Sequence, residues 1–434
     1  MNAPPAARSP GSWYVLGLLT LVYGINIADR FVVSQVLEPI RLELALSDAQ
    51  VAFITGVALA LFYVTVGIPV ALLADRANRR NIIAIAVALW SAMTAACGVA
   101  QNVWQFVLGR FGVGIGESGG TAPSTSLLAD RFPPQSRPAA FTIFALGAPL
   151  GAWLGSEFAG AVAQRYGWRA AFLALGVPGL VIALLVWLTI REPARGGFDA
   201  TGNAAAPALA RQGLWDQLRY LAGRRAFVHI TMGVTVATLW GWGLLWWTPT
   251  FLMRMHGIDV GAAGAVLGPM HLIGGTLATL VTSVLVGPRA AADPRRVLWL
   301  LAGVLVLATL PSFGAYWVRS LPVAVRMLWL MVPAIYFFIG PTIGLMQNVV
   351  PPSMRALAMA VGLFTANVAN LIIAPQAVGL ASDWLAPTLG GNAASLRVAL
   401  LVLAPTGFWA AYHYWAAART IRAEQAEIEG AQQA

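Results

Sequence analysis

Lysine is missing altogether: the 27 basic residues are all Arg, set against 17 acids. Without lysine no phosphate loop of the Gly-x-x-x-x-Gly-Lys type can exist, so the chain carries no ATP-driven motor of that kind. Cysteine is nearly missing too. Cys97 stands alone inside an apolar run, which excludes an internal disulfide, a thiolate cluster and a cysteine-based metal site. Charge of either sign is scarce, at 10% of residues, where a soluble domain carries about 25%. With 59% hydrophobic residues over 434 positions, a water-soluble fold would expose far too much apolar surface. A soluble enzyme, a nucleic-acid binder and a disordered scaffold are therefore excluded. The net charge of +10 does not restore nucleic acid as a partner, because the Arg residues sit in short turns between apolar runs and form no single basic face. The composition is that of a polytopic membrane protein.

What is abundant is long apolar runs. A helical span needs roughly 20 apolar residues. That ruler finds twelve, at 13–36, 49–74, 82–101, 103–128, 138–163 and 170–190, then 227–253, 262–287, 297–318, 323–350, 357–385 and 396–418. The runs are continuous and lack the ten-residue alternation of a barrel, so the expected fold is all-α. The first twelve residues are polar and Pro-rich with no small-residue cleavage site after a short apolar core, so span 1 reads as a retained helix. With the N-terminus inside, inner segments hold 18 Arg and outer segments 7, counting Arg326 and Arg397 at the outer ends of their spans, while Arg30 and Arg110 lie deeper within spans. This asymmetry predicts both termini in the cytoplasm. Trp13, Trp104, Trp317 and Trp384 stand at span ends, as an aromatic belt does.

The longest non-apolar stretch divides the chain into a six-helix bundle over 1–190, a linker over 191–226 and a second bundle with its tail over 227–434. Leu214, Leu218 and Leu221 share one helical face near Arg211, Arg219, Arg224 and Arg225, predicting an amphipathic helix on the cytoplasmic membrane surface. The first part of the linker reads equally as a solvated connector. The halves also repeat. Pro133-Pro134-Gln135-Ser136-Arg137 and Pro351-Pro352-Ser353-Met354-Arg355 lie 218 residues apart, each with Ala three residues beyond its Arg (Ala140, Ala358). Arg110 and Arg326, and Arg79-Arg80 and Arg295-Arg296, lie 216 apart. Three matches at nearly one offset indicate duplicated six-helix halves, the plan of major facilitator transporters.

Gly112, Gly116 and Gly120 in span 4, and Gly147, Gly151 and Gly155 in span 5, recur every four residues. That spacing lets helix backbones approach closely. Pro123, Pro149, Pro249, Pro269, Pro341 and Pro375 favour bends. The sharper signal is charge in hydrocarbon, where each Asp or Arg costs at least ~2.5 kcal/mol. Span 1 carries Asn26, Asp29 and Arg30; span 4 carries Arg110 and Glu117. At ~1.5 Å per residue, Asp29, Arg30 and Arg110 share a depth and Glu117 lies one to two turns deeper. One reading is a static ion-pair network that orients the helices. The other is a proton switch: desolvation and a neighbouring guanidinium act oppositely on a carboxylate, and helix motion changes both. In that reading Asp29 and Glu117 carry the proton, and Arg30 and Arg110 hold the acids or an anionic head group. Asn26, His271, Tyr336 and Asn370 are further candidates for lining a substrate site. Asp75, Arg79, Arg80, Asp130, Arg137 and Arg355, in the predicted cytoplasmic loops, are candidates for an inner gate.

Gly116-Glu117-Ser118-Gly119-Gly120 satisfies both Gly-x-Ser-x-Gly and the shorter Gly-x-Ser-Gly pattern of rhomboid-type intramembrane proteases. The soluble motif needs a strand-turn-helix context, which mid-span 4 does not give. Of His229, His256, His271 and His413, only His271 lies well inside a predicted span, in the opposite half.

Asp75-Arg76-x-Asn78-Arg79-Arg80 resembles the Gly-x-x-x-Asp-Arg-x-Gly-Arg-Arg signature of the major facilitator superfamily, with Ala71 and Asn78 in place of its glycines. Asn tolerates positive φ, so the turn is expected to survive at Asn78. Arg110-x-x-x-Gly114-x-Gly116-Glu117 is similar to the span 4 motif tied to proton coupling, and Gly147-Ala148-Pro149-Leu150-Gly151 to the span 5 motif of exporters. Asp29-Arg30, Gly114-Ile115-Gly116-Glu117-Ser118, Asp130-Arg131-Phe132-Pro133-Pro134 with Arg137, and Arg355-Ala356-Leu357-Ala358 with Pro375, Gly379 and Ser382-Asp383 resemble the spinster-like branch. The resemblance implies an alternating-access transporter of lysophospholipid- or sphingolipid-like amphiphiles, with proton coupling at Asp29 and Glu117. The alternative substrates are drugs or small organic anions. A proton gradient and no cofactor, a monomer in the lipid bilayer, and the inner membrane of a bacterium with a G+C-rich genome complete the expectation.

Overall fold

The structure is a computed structural model that describes residues 10–74, 76–133, 135–193, 213–351 and 354–433. All regular elements among these residues are helical. Among the described residues, eleven helices are long and apolar enough to cross a membrane. The twelfth span is the fourth, which is not the continuous helix expected over 103–128. It breaks into Val103–Glu117 and Thr121–Ala129, joined by two tight turns in which Gly119 and Gly120 donate to the carbonyls of Gly116 and Glu117. Pro123 explains the break, since proline lacks an N–H and its ring crowds the carbonyl four residues earlier.

Among the described residues four spans carry a π-turn, and they are the second and fifth of each half. Phe53–Val57 and Leu154–Phe158 lie in spans 2 and 5; Met270–Gly275 and Val368–Ile373 lie in spans 8 and 11. One extra residue per turn re-aims the side chains beyond it. The duplication read from loop motifs thus extends to the irregularities of the helices.

The chain forms two compact units. The first comprises 1–45, 57–202 and 259–272, so it includes the beginning of span 8; the second comprises 46–56, 203–258 and 273–434, with the beginning of span 2. In the first unit, span 1 (Pro10–Gln35) packs along span 5, and the Gly stripe is what permits it. A Cβ on Gly151 would stand 2.0 Å from the carbonyl oxygen of Gly24, and one on Gly155 2.5 Å from that of Ala28. Gly116 likewise lies against the backbone of Trp90 on span 3 (Arg79–Gly98).

In the second unit, the buried Asp48 opens span 2 and receives both guanidinium nitrogens of Arg254, at 2.8 and 2.6 Å, and the hydroxyl of Ser382 at 2.6 Å. Asp383 accepts from the N–H groups of Asp48 and Ala49 at 2.9 and 2.8 Å. A carboxylate is well placed there, because the first N–H groups of a helix have no partner within it. The helix Leu214–Gly223 occurs as expected in the second part of the linker. Leu221 is buried against the protein while Leu214 and Trp215 are exposed; Arg211 lies outside the described residues.

Candidate functional site

Spans 1 to 4 of the first unit meet around two crossed ion pairs. Asp29 and Arg30 are neighbours on span 1, so their side chains diverge by about 100° around the helix. Arg110 and Glu117 lie two turns apart on one face of span 4. Arg110 Nη1 donates to Asp29 Oδ2 at 2.9 Å. Arg30 donates to Glu117 Oε2 through Nε at 3.0 Å and Nη2 at 2.7 Å. Each acid is thus answered by the opposite helix. Although Arg30 starts at the depth of Asp29, its long side chain reaches the deeper Glu117.

The two pairs differ in how completely their acids are held. Asp29 accepts from Arg110 on one oxygen and from the Thr94 hydroxyl of span 3 on the other. Glu117 has its side chain fully enclosed and Oε1 without a hydrogen-bond partner among the described residues. Arg110 is also enclosed, with Nε and Nη2 unmatched, as is Nδ2 of the buried Asn26. Arg30 keeps 15% exposure and lies over the Tyr63 ring of span 2, 4.9 Å from its centroid. Buried polar groups are normally satisfied. Unmet donors and an unmet acceptor packed together mark a place where bonds can be exchanged.

His271 belongs to the same unit and is brought edge-on to Phe31, the residue after Arg30, with ring centroids 4.7 Å apart. Tyr336 and Asn370 lie in the second unit. Tyr336 is buried and packs edge-on to Trp242; Asn370 is half-buried within the π-turn of span 11.

The gate candidates separate into two kinds. Arg79 is buried and joins three elements, donating to Glu192 Oε1 at 2.7 Å, Asp130 Oδ2 at 2.6 Å and Ser126 Oγ at 2.9 Å. The N–H of Arg80 donates to Glu192 at 3.0 Å, while its guanidinium turns to Asn81. The two Pro-Pro-x-x-Arg arginines act alike in both halves: Arg137 Nε donates to the Ala129 carbonyl and Arg355 Nε to that of Gln347, each eight residues back. Both therefore meet carbonyls that a helix end leaves open. Asp75 lies outside the described residues. The expectation of a positive φ at Asn78 is corrected: its φ is −72°, and its side chain instead caps span 3 by accepting from the N–H of Asn81.

The catalytic-serine pattern dissolves in the same way. Ser118 Oγ donates to the Ile115 carbonyl at 2.6 Å, and the adjacent glycines serve close packing and the break in span 4. Sequence reasoning missed Thr94, Tyr63 and Glu192. A hydroxyl one turn from a span's middle carries no distinctive signal, but Glu192, an acid directly after span 6 in a basic loop, could have been singled out.

The family model of the Major Facilitator Superfamily matches residues 19–375. An MFS-type efflux pump of Mycolicibacterium smegmatis is 33% identical over 439 residues, covering 97% of this chain and 98% of that protein. The sphingosine-1-phosphate transporter SPNS2 of Danio rerio is 26% identical over 405 residues, covering 85% and 76%. Among solved structures, a bacterial homologue of the human lysosomal transporter Spinster, inward-facing and unoccupied, superposes with a TM-score of 0.83 at 29% identity, covering 96% of this chain and 99% of that one. With charges paired inside hydrocarbon, a doubled plan of six spans and these likenesses, the chain belongs to the major facilitator superfamily as a membrane transporter, not an enzyme, and resembles its spinster-like members.

Proposed function

We propose that this transporter is proton-coupled, works by alternating access and moves a single-chain amphiphile of lysophospholipid or sphingolipid type, with Asp29 and Glu117 as its coupling acids. The observation that carries the reading is the unequal holding of the two acids. Glu117 keeps Arg30 on Oε2 and leaves Oε1 without a partner. A proton taken there cancels the charge that retains Arg30. Arg30, the one member of the four with appreciable exposure, then becomes free to hold an anionic head group. Return of the proton to water restores the pair. Asp29 is held on both oxygens, by Arg110 and by Thr94. The likeness to a sphingosine-1-phosphate transporter supports an amphiphilic substrate. The Arg asymmetry between loops supports both termini facing the cytoplasm, and the Lys-free, Ala- and Arg-rich usage supports a bacterial inner membrane.

The test is pH-driven uptake of a labelled lysophospholipid in proteoliposomes. Glu117→Gln is expected to lose the response to the gradient while still exchanging substrate; full pH-driven uptake by this variant removes Glu117 as the carrier. A second reading, export of drugs or small organic anions, is favoured by the 33% identity to an efflux pump over nearly the whole chain. Competition between lysophospholipid and a labelled drug separates the two.

A further inference from the structure

Among the described residues, one acid within a span has no cation beside it. Glu157 lies on span 5, whose helix runs Arg137–Tyr166. At ~1.5 Å per residue it stands roughly 14 Å in from Tyr166, close to the middle of a hydrocarbon layer about 30 Å thick. It is the fourth residue of the π-turn Leu154–Phe158, an irregularity frequent at functional sites.

Its side chain is positioned from two sides. Trp153 Nε1 donates to Oε2 at 2.6 Å. Across from it, span 8 presents Gly264 and Gly268: a Cβ on Gly264 would stand 3.2 Å from Glu157 Cα, and one on Gly268 2.5 Å from its Cβ and 2.6 Å from Oε2. Glycine there makes room for the carboxylate, so the half-buried Glu157 lies against span 8. His271, one turn beyond Gly268, is the next titratable residue along span 8 and packs on Phe31. Among the described residues, the other acids within spans or at their ends are answered. Arg110 meets Asp29, Arg30 meets Glu117, Arg254 meets Asp48, and two backbone N–H groups meet Asp383. Glu157 has only a neutral indole.

We propose that Glu157 is the counter-charge for a cationic nitrogen of the substrate, so that the class taken at this site is a hydrophobic ammonium, free or as the positive half of a zwitterionic head group. An intramembrane carboxylate without a basic partner requires a positive charge when it ionises. The Trp153 ring beside it suits an alkylammonium, which binds aromatic faces as well as carboxylates. The inference rests on the amphiphile reading above, in which Arg30 holds the anionic part of the head group, and adds a positive charge to the same substrate.

The experiment is equilibrium binding to the full chain in lipid nanodiscs, with no pH gradient. The probes are a twelve-carbon chain ending in trimethylammonium and the same chain ending in uncharged tert-butyl, each as a competitor of a labelled amphiphile. The wild type is expected to prefer the cation about tenfold or more, and Glu157→Gln to lower that ratio to near one. Gly268→Ala, which keeps the carboxylate but crowds it, is expected to lower the ratio too and serves if Glu157→Gln does not fold. The same ratio in wild type and variants, or no preference in the wild type, overturns the proposal. Because binding is read without a gradient, loss of proton coupling, which would sink the earlier reading, leaves this result interpretable.

Discussion

Replacing Arg110 with Met strands a carboxylate. Asp29 has a side chain 3% exposed, and without the guanidinium only the Thr94 hydroxyl remains to hold its charge. Removing one member of such a buried pair costs about 3–5 kcal/mol. In a unit of this size each kcal/mol lowers the unfolding midpoint by about 2–4 °C, so Arg110→Met is expected to lose on the order of 10 °C. Asp29→Leu should lose a comparable amount, because Arg110 is wholly enclosed and already has Nε and Nη2 unmatched. The double variant Asp29→Leu with Arg110→Met removes both charges together and is expected within about 2 kcal/mol of the wild type. The cycle then yields a coupling of at least about 4 kcal/mol, the two single losses together less that of the double variant. Thermal unfolding in detergent, followed by tryptophan fluorescence, measures all four proteins, and pH-driven uptake in proteoliposomes is expected to stay absent in the rescued double variant. A single variant as stable as the wild type, or a double variant no better than the singles, refutes the reasoning.

Three further outcomes follow, two from packing and one from a surface charge. Gly151→Ala, whose Cβ meets the Gly24 carbonyl, is expected to force spans 1 and 5 apart and to cost about 1–3 kcal/mol. By contrast, Gly303→Ala, with nothing within 4 Å, is expected to be neutral or to stabilise by up to about 1 kcal/mol; the same melting assay decides. Outside the spans, hydrogen bonds from Arg169 and Trp168 hold the Glu43 carboxyl below the usual carboxylate range. A lowered folded value means that its contribution is present above the unfolded value of about 4.3 and is lost as pH falls through the folded one. Being about half exposed, it is worth only about 0.5 kcal/mol. Glu43→Gln is expected to cost that much at neutral pH and nothing in strong acid, as melting at two pH values would show.

Composition and hydropathy were enough to establish an all-helical membrane protein with two related halves. These properties are local: a span is a run of apolar residues, and a duplicated loop is visible wherever it stands. The four charges of spans 1 and 4 were legible for the same reason, since ionisable residues stand out within apolar runs. Which acid meets which guanidinium was decided by tertiary structure, because pairing depends on the reach and rotation of side chains from different helices. Counting residues along each helix put Arg30 level with Arg110, yet Arg30 extends down to Glu117 while Arg110 takes Asp29 and Thr94 completes it. Glu157 is as visible within the run 138–163 as those four charges are in theirs, but that its neighbours are Trp153, Gly264 and Gly268 and not an arginine became apparent only in the packed helices. Likewise, the break after Glu117 and the four π-turns arise where Pro123 and helix-to-helix contacts override the helical repeat. Sequence alone determined which residues enter the membrane, through the free energy of transferring each one from water; the packed helices decided which of those residues share a hydrogen bond or an ion pair.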